Sequence, residues 1–283
     1  MEIQSLCPGL ATDVIGVDLS EPLSENRFQR IREAWHSYPV LRFRQQQISD
    51  EQLMAFSAHF GPLDHPPVGF LPPGTDRDTI PKVAIISNIL ENGKPIGGLG
   101  ATEASWHTDI SYKEEPAMAS ILYGIEVPNE GGDTHYCTMY GAYERLPDSL
   151  RKQIRGMKLK HDAAHDSAGK LRRGYQEVSE LSEVPGAIHP IIRIHPETHR
   201  PALFLGRRLH ASVVGLPLKE SEAFLDELWS YVAYPEDCWV QQWQVGDAVL
   251  WDNRAVMHRR DGFDPNSRRL MHRTQIHGDR PFE

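Results

Sequence analysis

Two histidine motifs about 150 residues apart carry the chemistry-bearing side chains of this chain. The first is Trp106-His107-Thr108-Asp109, and the second is Trp251-Asp252-Asn253-Arg254 followed by His258, Arg269 and Arg273. Two imidazoles and one carboxylate can hold one face of an Fe(II) ion and leave the other positions open to substrates. An Arg beyond the second His is suited to grip a carboxylate co-substrate beside that metal. If the two motifs meet in space, the chemistry is that of an oxygenase.

A His-x-Asp/Glu pair is weak on its own. With 14 His and 39 acidic residues in 283, about two such pairs arise by chance. Three occur: His107/Asp109, His195/Glu197 and His277/Asp279. On a strand, residues i and i+2 share a face, so His107 and Asp109 can point into a barrel together. Pro196 marks the second pair as a turn, and the third sits in the C-terminal tail. Arg269 and Arg273 are four apart, an even spacing that puts both on one face of a strand. Two arginines facing a metal are costly unless each meets an anion. A dicarboxylate co-substrate and an acidic main substrate would supply the two.

Composition bounds the alternatives. The 283 residues, 40% hydrophobic, suffice for one large core, and one domain over residues 1–283 is expected. A net charge of −9 argues against a general nucleic-acid binder. Cys7, Cys137 and Cys238 form no CxxC, so neither a disulfide framework nor a cysteine zinc site is expected. The N-terminus lacks the build of a signal peptide, and no apolar run nears the ~18 residues of a membrane helix. A cytoplasmic protein with no membrane partner follows.

The elements that must position these residues read as many short strands with helical insertions. Ser24 opens a helix to about Tyr38, Ser49 caps a second one ending at Gly61, and a third runs from about Lys219 to Tyr234. Helical material is also expected over 139–156 and 168–183. Strands are expected over 14–19, 40–43, 83–87, 105–112, 117–127, 133–138, 190–195 and 202–205, and then over 238–244, 248–252, 256–259 and 269–276. Strands and helices do not alternate after residue 105. That disfavours a parallel α/β fold and favours a mostly β protein with a double-stranded β-helix (jelly-roll, cupin-like) core and helices outside.

These motifs resemble the Fe(II)/2-oxoglutarate-dependent dioxygenases of the family containing taurine dioxygenase and the aryloxyalkanoate (2,4-dichlorophenoxyacetate) dioxygenases. The resemblance spans nearly the whole chain. It includes Gly16-Val17-Asp18-Leu19, Phe60-Gly61-Pro62-Leu63, Gly131-Gly132-Asp133-Thr134 and His195-Pro196-Glu197-Thr198, besides the two motifs above. It implies that His107, Asp109 and His258 are the catalytic Fe(II) ligands. Arg269 and Thr134 would bind 2-oxoglutarate, and Arg273 would hold the acidic group of the main substrate. The reaction would consume O2 and release succinate and CO2 while hydroxylating a substrate C–H. Because Asp109 is present, the related halogenases are disfavoured. The resemblance also implies a homo-oligomer, a dimer or tetramer.

The expected substrate is a small or medium anionic organic acid, with an aryloxyalkanoate favoured over a sulfonate such as taurine. Ser167 and Leu209 stand where the taurine branch has aromatics, and Glu103 stands where it has an amide. His65, Glu103, Leu209 and His210 are candidate substrate contacts, and His210 together with Arg207 or Arg208 is expected at the pocket mouth. The tail Gly278 to Phe282 is closer to the taurine branch. The residues 162–188 are expected to form a lid. A cupin-like zinc enzyme, or a non-catalytic ligand-binding barrel, is the competing class. The Arg269/Thr134 pair disfavours the former and the full ligand set the latter.

Overall fold

The computed structural model describes residues 1–67, 76, 79–172, 174–176, 178 and 183–283. Two sheets face each other. The larger has eight strands in the order Glu2–Cys7, Ala11–Ile15, Val40–Phe43, Ala248–Asp252, Ala119–Glu126, Leu270–Ile276, Ala84–Ser87 and Gly98–Leu99. The smaller has four, in the order Cys238–Gln241, Thr134–Thr138, Val256–Arg260 and Ala104–His107. Neighbours far apart in sequence lie side by side in both, as a jelly roll requires.

The alternation of side chains along the large sheet decides what lies where. Ala248 and Leu250 face outward with Ile121 and Tyr123, and pack under Ile31, Trp35, Leu53 and Phe56 of two helices. Val249 and Trp251 face inward with Leu122 and Met271, and meet Tyr136 and Val256 of the small sheet. Arg269 and Arg273 flank Met271 at two-residue spacing, so their burial places both cations with the inward set.

The two covering helices carry their start signals in sequence. Ser24 caps Glu25–Ser37 by accepting from the Arg27 amide. Ser49 and Gln52 form a reciprocal capping box at Asp50–Ala58. Elsewhere the boundaries differ from expectation. The helical stretch over 139–156 is two helices, Met139–Arg145 and Asp148–Gln153, because Pro147 lacks the amide needed to continue the first. The last long helix, Leu218–Trp229, stops before Tyr234. The helix expected over 168–183 is not found among its described residues. Glu2–Cys7, a half-exposed edge strand, was not expected.

His161 and His189 enclose Phe204, with ring centroids 5.0–5.5 Å apart. Burial holds the His161 imidazole well below its ordinary value of 6.5, helped by His189 and Arg207. Burial likewise lowers His189, against its bond to the Lys113 carbonyl. The unfolded chain therefore binds more protons than the folded one below pH 6.5. The stabilisation is complete above that pH and is lost as pH falls through and below it. Unfolding the metal-free protein near pH 5 should take up a proton at His161, and His161→Phe should lower the measured uptake by about one. Unchanged uptake by calorimetry in buffers of different ionisation enthalpy would refute this.

Candidate metal centre and adjoining pockets

Strand pairing brings the two histidine motifs together. Val256–Arg260 and Ala104–His107 are antiparallel neighbours, with His258 directly opposite His107 and the ring centroids 4.2 Å apart. Asp109 lies beyond the strand, which ends at His107 instead of running to residue 112. Two contacts turn the chain there: the Thr108 amide donates to the Gly206 carbonyl at 2.9 Å, and Ile110 takes a positive φ of 53°. The Asp109 carboxylate consequently reaches the same point as the imidazoles. Its Oδ1 lies 3.6 Å from His107 Nε2 and 4.0 Å from His258 Nε2. All three ligand atoms fall within 4.8 Å of one another.

The protonation states suit a divalent cation. His107 Nδ1 lies 2.7 Å from the Ser105 carbonyl, which can only accept, so Nδ1 carries the proton and Nε2 presents its lone pair to the cluster. Burial, with the neighbouring His107, pulls His258 down to about 3 despite the opposing Asp109 charge, so this imidazole is neutral. Burial alone would raise the Asp109 carboxyl; the Arg273 cation holds it well below the ordinary range. Its Oδ2 accepts from Ser120 Oγ at 2.8 Å, and Arg273 Nη1 lies 3.2 and 3.3 Å from its two oxygens.

The other two His-x-acid pairs do different work. His195 bonds Asp252, while Glu197 receives Arg254, Arg32 and His36, making a charged clamp beside the first helix. His277 lies against Asp64 and Glu115 at the surface. Among the described residues no other group of three such side chains converges as the first does.

Next to the His–Asp–His cluster is a cavity of about 40 Å³ lined by His107, His258, Thr134, Arg260, Arg269 and Arg273, with apolar walls. Arg269 is 1% exposed, yet none of its three guanidinium nitrogens has a hydrogen-bond partner. Burial and the nearby Arg260 charge pull it down to about 9, so it stays cationic at neutral pH. A buried cation without a partner is a strong demand for an anion. Thr134 faces the same cavity. Its Oγ accepts from Trp243 Nε1 at 3.0 Å, which leaves its own proton free to donate.

A larger cavity of about 280 Å³ is lined by both His107 and Asp109. Arg273 lines both cavities. Ser167 and Arg207 line the larger one. The remaining candidate contacts lie off its described lining. Glu103 is exposed and pairs with Arg259 at 3.7 Å. Leu209 is 50% exposed. His210, in a left-handed turn with φ 59°, stacks on His165 at 4.0 Å. His65 is two residues short of Pro67, which does reach the cavity. Arg208 is held away by Glu222 and Asp226. Of the segment expected to be a lid, residues 173, 177 and 179–182 lie outside the described residues.

Sequence reasoning did not single out Ser105, Ser120 or Trp243. Ser120 carried a signal: a hydroxyl inside the apolar run Ala117 to Tyr123 needs a buried partner. The other two act through a carbonyl and a turn that only the fold reveals.

Residues 2–275 match the family described as "Taurine catabolism dioxygenase TauD, TfdA family". The α-ketoglutarate-dependent 2,4-dichlorophenoxyacetate dioxygenase of Cupriavidus pinatubonensis is 34% identical over 278 residues, covering 95% of this chain and 94% of that protein. A taurine dioxygenase from Burkholderia xenovorans superposes with a TM-score of 0.79 at 32% identity, over 99% of this chain and 90% of that one. AAD-2, solved with Mn(II) and N-oxalylglycine, gives 0.80 at 28% identity, over 99% and 98%. With a matching fold, a matching length and a convergent His–Asp–His cluster, the chain belongs to the TauD/TfdA family of α-ketoglutarate-dependent dioxygenases.

Proposed function

We propose that this protein hydroxylates a small or medium organic acid, aryloxyalkanoate-like in preference to a sulfonate, using Fe(II), O2 and 2-oxoglutarate (α-ketoglutarate). The observation that carries the reading is the partnerless buried Arg269 across a small cavity from His107, Asp109 and His258. An unsatisfied guanidinium at that place calls for a carboxylate, and a keto acid reaching from it to the cluster is the co-substrate that the relatives' names specify.

His107, Asp109 and His258 are the proposed metal ligands. The bare Nε2 of His107, the neutral His258 and the ionised Asp109 together fit a divalent ion that prefers mixed nitrogen and oxygen donors. Fe(II), when bound, supplies the oxidising chemistry that couples decarboxylation of 2-oxoglutarate to C–H hydroxylation. The protein's part is placement. Ser105 fixes the His107 ring, and Ser120 fixes the Asp109 carboxylate. Arg269 and the Thr134 hydroxyl grip the distal carboxylate of 2-oxoglutarate, and Arg273, which lines both cavities, holds the acid of the main substrate. The apolar wall of Ile86, Leu99, Leu122 and Trp251 keeps water from the co-substrate.

Two measurements test this. Anaerobic addition of Fe(II) and 2-oxoglutarate should produce a weak visible charge-transfer band, and folded protein without it would count against the centre. In air, 2,4-dichlorophenoxyacetate should release more succinate than taurine does. The reverse order would make the sulfonate the better description, and succinate from neither would sink both.

A further inference from the structure

The larger cavity carries more positive charge than one substrate acid requires. Beyond Arg273 its described wall includes Lys170, Arg172 and Arg207, against a single further carboxylate among the described residues, Asp166. Arg207 is 8% exposed. Its Nη1 donates to the His165 and Asp166 carbonyls, both at 2.8 Å, while its Nε is buried without a partner. Its nearest carboxylate, on Asp162, stands 3.8 Å away and already accepts from the Ala164 and His165 amides. Asp166 is occupied too, accepting the amides of Ala168 and Lys170 at 2.9 Å. Arg172 lies over the Tyr112 ring at 4.1 Å, an arrangement that steers its guanidinium without neutralising it. Neither Lys170 nor Arg172 forms an ion pair among the described residues.

These cations also oppose one another. Burial, and next the charge of Arg172, pull the Arg207 guanidinium down from its ordinary value. Among the described residues, three cations held against two carboxylates, both spent on turn amides, leave a surplus positive charge facing a cavity. A protein tolerates a cation this deeply buried when a ligand supplies the missing anion.

We propose that the outer part of the larger cavity is a second anion subsite, built on Arg207 with Arg172 and Lys170, and that the main substrate is a diacid. One acidic group meets Arg273 near the reacting carbon, and the second meets this cluster. The inference rests on the dioxygenase reading and narrows its substrate class. At about 280 Å³ the cavity suits a molecule of modest size.

The test uses the full chain loaded with Fe(II) and saturating 2-oxoglutarate under anaerobic conditions, titrated by calorimetry. The probes are suberate against octanoate and adipate against hexanoate. A second charge-assisted contact should make at least one diacid bind about tenfold more tightly than its monoacid. Arg172→Gln and Lys170→Gln, at the outer side of the cavity, should each erase most of that advantage. Equal affinities of diacid and monoacid, or an advantage that survives both substitutions, overturns the subsite. Binding of 2-oxoglutarate, measured first, separates the two levels. If it binds and the diacids show no preference, only the subsite falls; if it does not bind, the dioxygenase reading falls as well.

Discussion

Arg269→Met should make the protein more stable in the absence of 2-oxoglutarate and nearly blind to its addition. The wild-type guanidinium is buried beside Arg260, and its three nitrogens have no partner. Replacing buried charge by an apolar side chain of similar length is often neutral or stabilising by about 1–4 kcal/mol. Backbone support survives the exchange, because Asn88 and Ser87 bind the amide and carbonyl of residue 269 and not its side chain. The ligand response goes the other way. At a 2-oxoglutarate concentration of about 100 times Kd, the wild type gains roughly 2.7 kcal/mol of stability. Losing a bidentate contact to a carboxylate should raise KM for 2-oxoglutarate by about 100-fold or more. Melting curves of the Fe(II)-loaded protein with and without 2-oxoglutarate, taken anaerobically, measure both effects. A variant that loses several degrees in the absence of 2-oxoglutarate yet keeps the wild-type ligand shift would show that Arg269 is a structural residue.

The same arginine shows what a sequence can and cannot disclose. Its four-residue spacing from Arg273 suggests one face of a strand; Arg269 in fact immediately precedes the strand Leu270–Ile276, yet it is buried like Met271 and Arg273 and lines the same cavity as Arg273. The helix caps at Ser24 and Ser49 are local and therefore readable. The His–Asp relation is not local. Alternation along a single strand would put His107 and Asp109 on one face, but the strand stops at His107. What aims Asp109 is a contact with Gly206, nearly a hundred residues on, together with hydrogen bonds from Ser120 and Arg273. The facing of His107 and His258 is likewise a matter of register between strands about 150 residues apart, which no periodicity encodes. The outer cavity was less legible still. Leu209 and His210 lie only two and three residues after Arg207, yet both are off its described lining, His210 at a positive φ, while Arg207 stays on it.

Asp109→Ala should remove high-affinity metal binding and weaken the metal-free fold together. The carboxylate is buried, ionised and bound by Arg273 and Ser120. Deleting one partner of a buried ion pair costs about 3–5 kcal/mol, so chemical denaturation should show a loss of that size before any metal is added. The effect on Fe(II) is separable by comparison with Ser120→Ala. That change keeps the carboxylate and removes only one hydrogen bond that orients it, a loss typically worth about 10–100-fold in metal affinity. Asp109→Ala should exceed it, because one of three donors is gone. Anaerobic calorimetry with Fe(II) compares the two directly. Wild-type affinity in Asp109→Ala would remove this carboxylate from the metal centre and leave it as Arg273's counter-ion alone. A graded series, with Ser120→Ala between wild type and Asp109→Ala, would mean that one side chain both balances a buried arginine and ligates the metal. The cation that keeps Asp109 ionised is the same Arg273 that lines both cavities.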